Sequence, residues 1–286
     1  MKELVRSLMR PPALAMRALS VTPPETVFKH LHRSGPFDIR LPEGRGTLTL
    51  MSWGDRVENE LFWRGWIGHE PEVMRWWGRL ALDAKTVLDI GANTGCFAFT
   101  AKALNPDATV HAFEPVSRIA ERIGVNCEVS GLDVKVFQQA VADEVGEVLI
   151  HDPGGANAYS ASLDANFLPG DKDSYPVPVV TVDDHCARHG VEPDLIKVDV
   201  EGIEGRLLLG ARQTLLSLQP LIVCEWTRSS AEHAAARDLL EEAGYVVIDP
   251  ATGGKTTLDA GRAYDDRNVI FCPASRADVL RSSGSL

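Results

Sequence analysis

The sequence lacks the cysteine spacing of a disulfide framework or a structural zinc site. Its five cysteines are odd in number and widely scattered, and no two of them form a CxxC pair. A reducing compartment is therefore expected, with the cytoplasm as the default location. The N-terminal segment also lacks the unbroken apolar core of a secretory signal, because it is interrupted by Arg10, Pro11, Pro12 and Arg17.

Long apolar runs and an excess of positive charge are also missing. No stretch reaches the roughly 18 to 20 apolar residues of a membrane-spanning helix, so no transmembrane segment is expected. The 286 residues include 40 acidic and 29 basic ones, a formal net charge of −11. Binding to a nucleic-acid backbone needs local positive charge, and no nucleic-acid partner is expected. A basic arm over residues 1–35 is the exception. It leaves three interpretations open: homo-oligomerisation through the N-terminal region, contact with a membrane surface or an acidic acceptor, or a disordered start.

Short apolar runs alternate with helix-like stretches from about residue 85 to residue 273. The strand-like runs include TVLDIGA (86–92), ATVHAFEP (108–115), VKVFQQAVA (134–142), DLIKVDVEG (194–202) and PLIVCEW (220–226). Helix-like segments that end at glycine or Asn-Pro separate them. This alternation predicts an α/β fold with a doubly wound, mostly parallel, Rossmann-like sheet and right-handed crossovers.

Composition divides the chain into three regions. Residues 1–84 form an irregular N-terminal extension, residues 85–273 form the regular α/β domain, and residues 274–286 form a polar tail. The extension holds five of the six tryptophans. These rings either form a lid that stacks on a ligand or pack the extension against the core, and packing is the favoured interpretation.

The histidines show no metal signature, since no HExxH or histidine-rich cluster is present, and no zinc site is proposed. His111 lies in the middle of a predicted strand and is expected inside the sheet. His185, His189 and His233 lie on predicted helices and are expected at the surface.

A glycine-rich turn follows the first strand of the regular domain. The strand ends in Asp89-Ile90-Gly91-Ala92-Asn93-Thr94-Gly95, and a helix begins at the turn. Gly91 and Gly95 permit a tight turn and the close approach of a ligand. A dinucleotide-binding turn would need a second glycine, and Asn93 occupies its place. Asp89 would also repel a diphosphate, so the turn favours a ligand that is cationic or rich in hydroxyl groups.

The next strand ends in Glu114-Pro115, and a carboxylate at this position can accept hydrogen bonds from both hydroxyls of a ribose. The third strand carries Gln139 and Ala140, and the tip of this strand is expected near an adenine. Acids at two adjacent strand tips, with a glycine turn between them, indicate a site for a nucleoside that carries no phosphate. S-adenosylmethionine has that character.

At these segments the chain resembles the FkbM-type methyltransferases, S-adenosylmethionine-dependent enzymes with the class I methyltransferase fold. The resemblance covers roughly residues 60–273 and rests on GHEPEV (68–73), VLDIGANTG (87–95), AFEP (112–115), IKVDVEGIEGRLLLGA (196–211) and IVCEW (222–226). It implies cofactor contacts from Asp89, Gly91, Asn93, Gly95 and Glu114, with Glu70 near the amino-acid end of the cofactor. It also implies a hydroxyl acceptor on a sugar, a glycolipid or another secondary metabolite.

Acids follow the fourth and fifth core strands. Asp199 and Glu201 lie two residues apart and point to one face if the strand continues that far, and Glu225 ends the neighbouring strand. Asp199 and Glu201 are candidates for the catalytic base or for contacts with the acceptor. Two alternatives stay open: the pair caps the following helix, or the three acids bind Mg²⁺ or Ca²⁺.

The function predicted from these features is S-adenosylmethionine-dependent O-methylation of a small-molecule or glycan acceptor. One alternative is an NAD-dependent oxidoreductase or epimerase, which the missing second glycine and the absence of a Tyr-x-x-x-Lys pair disfavour. The other is a non-catalytic module that binds a nucleoside and transfers nothing.

Overall fold

The computed structural model describes Met16 and residues 22–152, 173–226, 231–258 and 267–277. Most of the basic arm over residues 1–35 and of the tail over residues 274–286 lies outside these ranges. The expectation of homo-oligomerisation through the N-terminal region therefore falls largely outside the described residues.

The described chain alternates between helices and strands over most of its length. In chain order the elements are α1 (Glu25–Phe28), β1 (Gly35–Arg40), β2 (Thr47–Ser52), α2 (Arg56–Arg64), α3 (Pro71–Ala81), β3 (Thr86–Ile90), α4 (Cys96–Leu104), β4 (Thr109–Phe113), α5 (Ser117–Ser130), β5 (Lys135–Phe137), β6 (Ala140–Val141), β7 (Gly146–Asp152), β8 (Asp173–Val180), α6 (Val182–His189), β9 (Leu195–Val198), α7 (Glu204–Leu209), α8 (Arg212–Ser217), β10 (Leu221–Trp226), α9 (Ala231–Glu242), β11 (Tyr245–Ile248), β12 (Lys255–Thr256) and β13 (Arg267–Pro273).

Eight of these strands form the central sheet, in the order β12-β11-β13-β10-β9-β3-β4-β5. The five strands from β10 to β5 are parallel, and β13, β11 and β12 add antiparallel pairings at the other edge. The predicted α/β fold with a mostly parallel sheet is confirmed. The chain moves outward from β3 to β5 and then returns to the other side of β3 as β9. The carboxyl ends of β3, β4, β9 and β10 therefore meet where the strand order reverses, the usual ligand position in such sheets.

The sheet is buried on both faces because successive apolar side chains point to opposite sides. Val87 belongs to one cluster of buried side chains and its neighbour Leu88 to another. The first cluster also contains side chains of β1, β2, α2, α3 and α4, and the second contains side chains of α7, α8 and α9. The N-terminal elements thus share a core with one face of the sheet.

The predicted third strand over residues 134–142 is interrupted. Residues of β5 pair with β4 in the central sheet, whereas β6 pairs with β8 in a separate three-stranded sheet that also contains β7. Between the two, Gln139 N donates to Phe137 O at 2.9 Å, which turns the chain sharply. The break lets one segment serve two sheets and leaves Gln139 at the carboxyl end of β5.

The tryptophans of the N-terminal region pack mainly inward. Trp77 is fully buried and donates to Phe97 O at 2.9 Å, and Trp63 is also buried. The same region is tied to the turn after β3 through Asn126 of α5, whose side chain accepts from Met51 N and donates to Thr94 O. Packing, rather than a stacking lid, is what the structure shows for these two rings.

Two histidine expectations were wrong. His111 is buried as expected, but His185 and His233 are buried as well, because each turns inward from its helix. His185 Nε2 lies 2.8 Å from His111 Nδ1, and His233 Nε2 lies 3.3 Å from Glu204 Oε2. In each case a polar partner inside the protein replaces water. Within the described ranges, no helix has both the length and the apolar character to cross a membrane.

Candidate functional site

A cavity of about 600 Å³ lies at the edge where the parallel strands end. This volume is within the range of small-molecule sites. The walls come from three directions: the strand tips of the central sheet, the turn between β5 and β6, and the N-terminal elements α1, α2 and the loop before α3. The lining includes Gly91, Asn93, Phe97, Glu114, Pro115, Gln139, Ala140, Asp199, Glu201, Glu225, Arg56, Glu60, Arg64, His69 and Glu70.

Glu114 directly follows β4 and has its carboxylate fixed by the backbone. Its Oε2 accepts from Asn93 N at 3.1 Å, and its Oε1 accepts from Val116 N at 2.9 Å. Burial raises the pKa of Glu114 to about 7, against the opposing effect of these two hydrogen bonds. The side chain is therefore a rigid acceptor on the cavity wall whose charge is sensitive to pH near neutrality.

Seven of the nine residues that the sequence assigned to a cofactor lie on the wall, and Asp89 and Gly95 do not. Asp89 is fully buried behind the turn, where its Oδ2 accepts from Ala98 N at 2.8 Å in the first turn of α4. Gly95 precedes that helix, and a Cβ there would lie 2.6 Å from the Phe99 ring. Both residues support the conformation of the turn after β3 and do not line the cavity.

Gly91 brings two strand tips into direct contact. Its φ is +81°, and a Cβ at this position would lie 1.7 Å from the carbonyl oxygen of Asp199. Only glycine permits this approach. The turn after β3 and the acid after β9 therefore form one continuous wall.

A lysine and two acids form a buried network at the tips of β9 and β10. Lys197 is completely buried, and its Nζ lies 3.1 Å from Asp199 Oδ2 and 4.8 Å from the centre of the Phe97 ring. Burial would raise the pKa of Asp199, but Lys197 and a hydrogen bond with Glu225 outweigh it and hold that pKa below its ordinary value. Burial and the Asp199 charge raise the pKa of Glu225 to about 9. At neutral pH the network is therefore an ammonium, a carboxylate and a protonated carboxyl group.

The strand does not continue to Glu201, as the same-face interpretation required. β9 ends at Val198, and Glu201 adopts a left-handed backbone with φ of 57°. Helix capping by Asp199 and Glu201 is also not observed, because Ile203 is the N-cap of α7 and no side chain caps it. Asp199 and Glu201 both reach the cavity wall, but by a turn and not by strand alternation.

The three acids do not form a ligand set for a divalent cation. The ammonium of Lys197 occupies one side of Asp199. Among the residues that the structure describes, no group of three or more histidine, cysteine or acidic side chains is arranged to hold a metal ion. The metal alternative therefore has no geometric support in this part of the chain.

The N-terminal elements add polar groups that the sequence analysis did not assign to the site. His69 Nδ1 lies 2.9 Å from Glu60 Oε2, and Arg56 Nε donates to the other oxygen of Glu60 at 2.8 Å. Arg64 pairs with Glu25 at 2.9 Å across the same rim of the cavity. Arg56 and Glu60 lie four residues apart on α2, whereas the contacts of His69 with Glu60 and of Arg64 with Glu25 join different elements, and no local spacing signals those two.

Lys197 was also not predicted as a residue of the site, although its position in the sequence indicated a buried charge pair. A lysine two positions before Asp199 in an otherwise apolar strand lies on the same side as that acid. A buried lysine needs a charge partner, and Asp199 is the nearest candidate along the chain.

The fold and the cavity define a Rossmann-like α/β protein with a ligand site at the point where its strand order reverses. The chain belongs to the family described as the methyltransferase FkbM domain, which matches residues 89–247. The resemblance found in the sequence motifs is thereby confirmed.

Curated relatives share part of their length with this chain. It is 32% identical over 143 residues to 2-O-methyltransferase NoeI of Sinorhizobium fredii, a match that covers 45% of this chain and 58% of the relative. It is 30% identical over 151 residues to 31-O-demethyl-FK506 methyltransferase FkbM of Streptomyces tacrolimicus, covering 43% and 58%. The chain thus spans somewhat less than two thirds of the length of these relatives.

Solved structures are similar at low identity. A methyltransferase FkbM from Methylobacillus flagellatus aligns with a TM-score of 0.41 and 17% identity, over 66% of this chain and 44% of that one. A SAM-dependent methyltransferase from Agrobacterium tumefaciens aligns with a TM-score of 0.41 and 14% identity, over 84% and 70%.

Proposed function

We propose that the protein is an S-adenosylmethionine-dependent O-methyltransferase whose cofactor lies along the carboxyl edge of β3, β4 and β5. The observation that carries this proposal is the fixed carboxylate of Glu114 beside the turn of Gly91 and Asn93. Glu114 would accept hydrogen bonds from the ribose hydroxyls, and Gln139 and Ala140 would border the adenine. Family membership over residues 89–247 supports the same reaction class.

The residues present fit the amino-acid end of such a cofactor as well. Glu70 lies on the wall, and its buried Oε2 has no hydrogen-bond partner within the described residues. An ammonium group would supply that partner. When bound, S-adenosylmethionine supplies a methyl carbon already activated by a sulfonium. The protein must therefore chiefly bind, align and desolvate the two reactants.

The proposed acceptor is a hydroxyl group of a sugar, a glycolipid or another secondary metabolite. Two relatives carry names that place their reactions on oxygen, the 2-O-methyltransferase and the 31-O-demethyl-FK506 methyltransferase. We propose that Asp199 and Glu201, on the wall after β9, contact the acceptor. Asp199 would accept a hydrogen bond from it, because its lowered pKa keeps it ionised.

Residues 85–273 would form the catalytic domain, and residues 1–84 would contribute the opposite wall. Glu60, His69 and Glu70 support that division of roles, because they face the cavity from outside the regular domain. A cytoplasmic location is proposed on the spacing of the cysteines, which form no disulfide.

Calorimetric titration with S-adenosylhomocysteine and, separately, with NAD tests the cofactor. We expect the first to bind and Glu114→Ala to weaken it by about 1.5–3 kcal/mol, the value of hydrogen bonds to a charged group. Glu121→Ala, an exposed acid on α5, is the matched control. Binding of NAD alone would return the oxidoreductase alternative to first place. Cofactor binding without methyl transfer to any hydroxylated acceptor in a broad panel would favour the non-catalytic module.

A further inference from the structure

His69 and Glu60 form an acid–imidazole pair on the cavity wall. His69 Nδ1 lies 2.9 Å from Glu60 Oε2. Both side chains are largely buried, with 14% of His69 and 13% of Glu60 exposed. Both line the cavity.

The contacts of Glu60 fix which ring nitrogen carries the proton. Glu60 accepts from Arg56 Nε at 2.8 Å and from His69. Although burial alone would raise it, the pKa of Glu60 is lowered by these two partners. Glu60 is therefore an ionised acceptor, and the nitrogen facing it, Nδ1, must be the donor. In the neutral ring Nε2 then carries the lone pair.

The backbone is built to hold His69 in this position. A Cβ on Gly68 would lie 2.3 Å from the carbonyl oxygen of Glu60, so the loop can approach α2 this closely only with glycine there. Glu70 follows with a left-handed φ of 42° and starts α3. The position of His69 is thus fixed by its two neighbours, the closely packed Gly68 and the left-handed Glu70. A left-handed backbone at a residue other than glycine persists where the surrounding structure enforces it.

Two acids on the wall are poor proton acceptors at neutral pH. Glu225 is protonated, and Asp199 is committed to Lys197 and Glu225. His69 Nε2 lies 3.9 Å from Glu70 Oε1, beyond hydrogen-bonding distance. An imidazole oriented by a carboxylate is the arrangement that general bases share across unrelated enzymes.

We propose that His69 is the general base that deprotonates the acceptor hydroxyl, with Glu60 as the positioning residue that fixes its tautomer; the inference rests on the proposed function. His69 Nε2 takes the hydroxyl proton while the acceptor oxygen forms its bond to the methyl carbon. The electron pair of the broken carbon–sulfur bond stays on sulfur, and the imidazolium then releases its proton to water. Glu60, Glu70 and Asp199 are the acids that face His69 and stabilise its positive charge.

The tautomer can be tested without any acceptor. Nitrogen-15 NMR of histidine-labelled protein bound to S-adenosylhomocysteine, with His69 assigned by comparison with His69→Gln, should show a proton on Nδ1 and none on Nε2. Glu60→Gln should shift the tautomer or the ring nitrogen resonances. A proton on Nε2 in the wild-type complex would overturn the proposal even if the protein methylates a hydroxyl.

Turnover separates a base from a residue that merely supports the fold or the cofactor. With an acceptor from the hydroxyl panel, His69→Ala should lower kcat by about 100-fold or more, the usual contribution of a general base. Its affinity for S-adenosylhomocysteine should stay within about threefold of wild type. Added imidazole should restore part of the rate, which a structural role would not allow. His30→Ala, exposed on the surface, is the control and should match wild type.

The outcomes also separate this inference from the proposed function. If wild type methylates an acceptor and His69→Ala retains more than a third of kcat, the inference is wrong and the function stands. If His69→Ala loses affinity for S-adenosylhomocysteine in proportion to its lost rate, His69 is a cofactor ligand and not the base. If wild type fails to bind S-adenosylhomocysteine at all, the proposed function fails.

Discussion

Lys197 Nζ lies 3.1 Å from Asp199 Oδ2, so a fully buried ammonium is neutralised by the acid that directly follows its own strand. Asp199 in turn forms a hydrogen bond with Glu225, which keeps its proton at neutral pH because its pKa is about 9. The two acids share one negative charge, which balances the ammonium of Lys197. If the charge of Asp199 were removed, Glu225 could lose its proton and supply the negative charge that balances Lys197.

This exchange predicts a non-additive pair of mutations. Asp199→Asn should cost less than about 2 kcal/mol, because the pKa of Glu225, raised by burial and by the charge of Asp199, loses the second contribution and Glu225 can ionise beside Lys197. Asp199→Asn combined with Glu225→Gln leaves the buried ammonium without either acid and should cost about 3–5 kcal/mol. Urea unfolding of the two single variants and the double variant at pH 7.5 measures the difference. Simple additivity would show that the two acids do not substitute for each other.

Affinity for S-adenosylhomocysteine should rise with pH through the titration of Glu114. Ribose hydroxyls donate to the ionised carboxylate, so binding favours the form that exists above a pKa of about 7. From this value, affinity should be about tenfold weaker at pH 6 than at pH 8. Titration calorimetry at the two pH values measures this ratio.

Glu114→Gln isolates that effect from other groups that titrate near the cavity. The amide keeps the shape of the side chain but has no charge to gain. Its affinity should be lower than wild type at pH 8, and the tenfold ratio should shrink to near unity. An unchanged ratio in Glu114→Gln would assign the pH dependence to another group.

Local sequence patterns predicted the strand tips well, and long-range packing explains what they missed. The ends of β3 and β4, with Gly91 and Glu114, follow from short apolar runs that stop at glycine or at an acid. The break at Gln139 could not be predicted from such runs, because it depends on the pairing of β6 with β8 in a second sheet. Strand alternation past Val198 failed because β9 ends there and the chain enters a turn, in which Glu201 has a φ of 57°.

The contact between Glu60 and His69 shows why this part of the site could not be predicted from local motifs. Glu60 lies outside every motif found in the sequence, and its contact with His69 depends on the close approach at Gly68. The burial of His185 was missed in a similar way. Its helix is short and polar along most of its length, and the inward position of the ring is explained by its contacts with His111, Phe113 and Phe137.

His111 and His185 predict a loss of stability in mild acid. Burial lowers the pKa of His111 to about 4 and that of His185 to about 3, whereas both rings titrate near 6.5 in an unfolded chain. Between these values the unfolded state binds more protons. The free energy of unfolding therefore falls as the pH drops from about 6.5 toward 4.

The effect of the two rings can be separated by mutation. Several carboxyl groups with raised pKa values, Glu58 and Asp89 among them, act in the opposite direction. The measurement is therefore a comparison of variants: urea unfolding at pH 7.5 and pH 5.0 for wild type and for His111→Leu combined with His185→Leu. The wild type should lose more stability on acidification, by an amount on the order of 1 kcal/mol per ring. Equal losses would contradict the assignment.

Gly91 and Gly131 form a matched pair for testing the contact between the turn after β3 and the tip of β9. Both have a left-handed backbone, with φ of +81° and +69°. A Cβ on Gly91 would lie 1.7 Å from Asp199 O, whereas a Cβ on Gly131 meets nothing within 4 Å. Gly131→Ala should therefore cost only the backbone penalty of about 1–2 kcal/mol. Gly91→Ala should cost more, because the turn or the tip of β9 must also move.

The same displacement should reach the ligand site. Gly91→Ala should weaken binding of S-adenosylhomocysteine measurably, because Asn93 N and Glu114 are held together by the geometry of this turn. Gly131→Ala, at the far end of α5, should bind with wild-type affinity. Calorimetry on the folded variants, together with their unfolding free energies, gives both results. Equal unfolding costs with unchanged affinity would show that the close approach of Gly91 to Asp199 is not needed to shape the site.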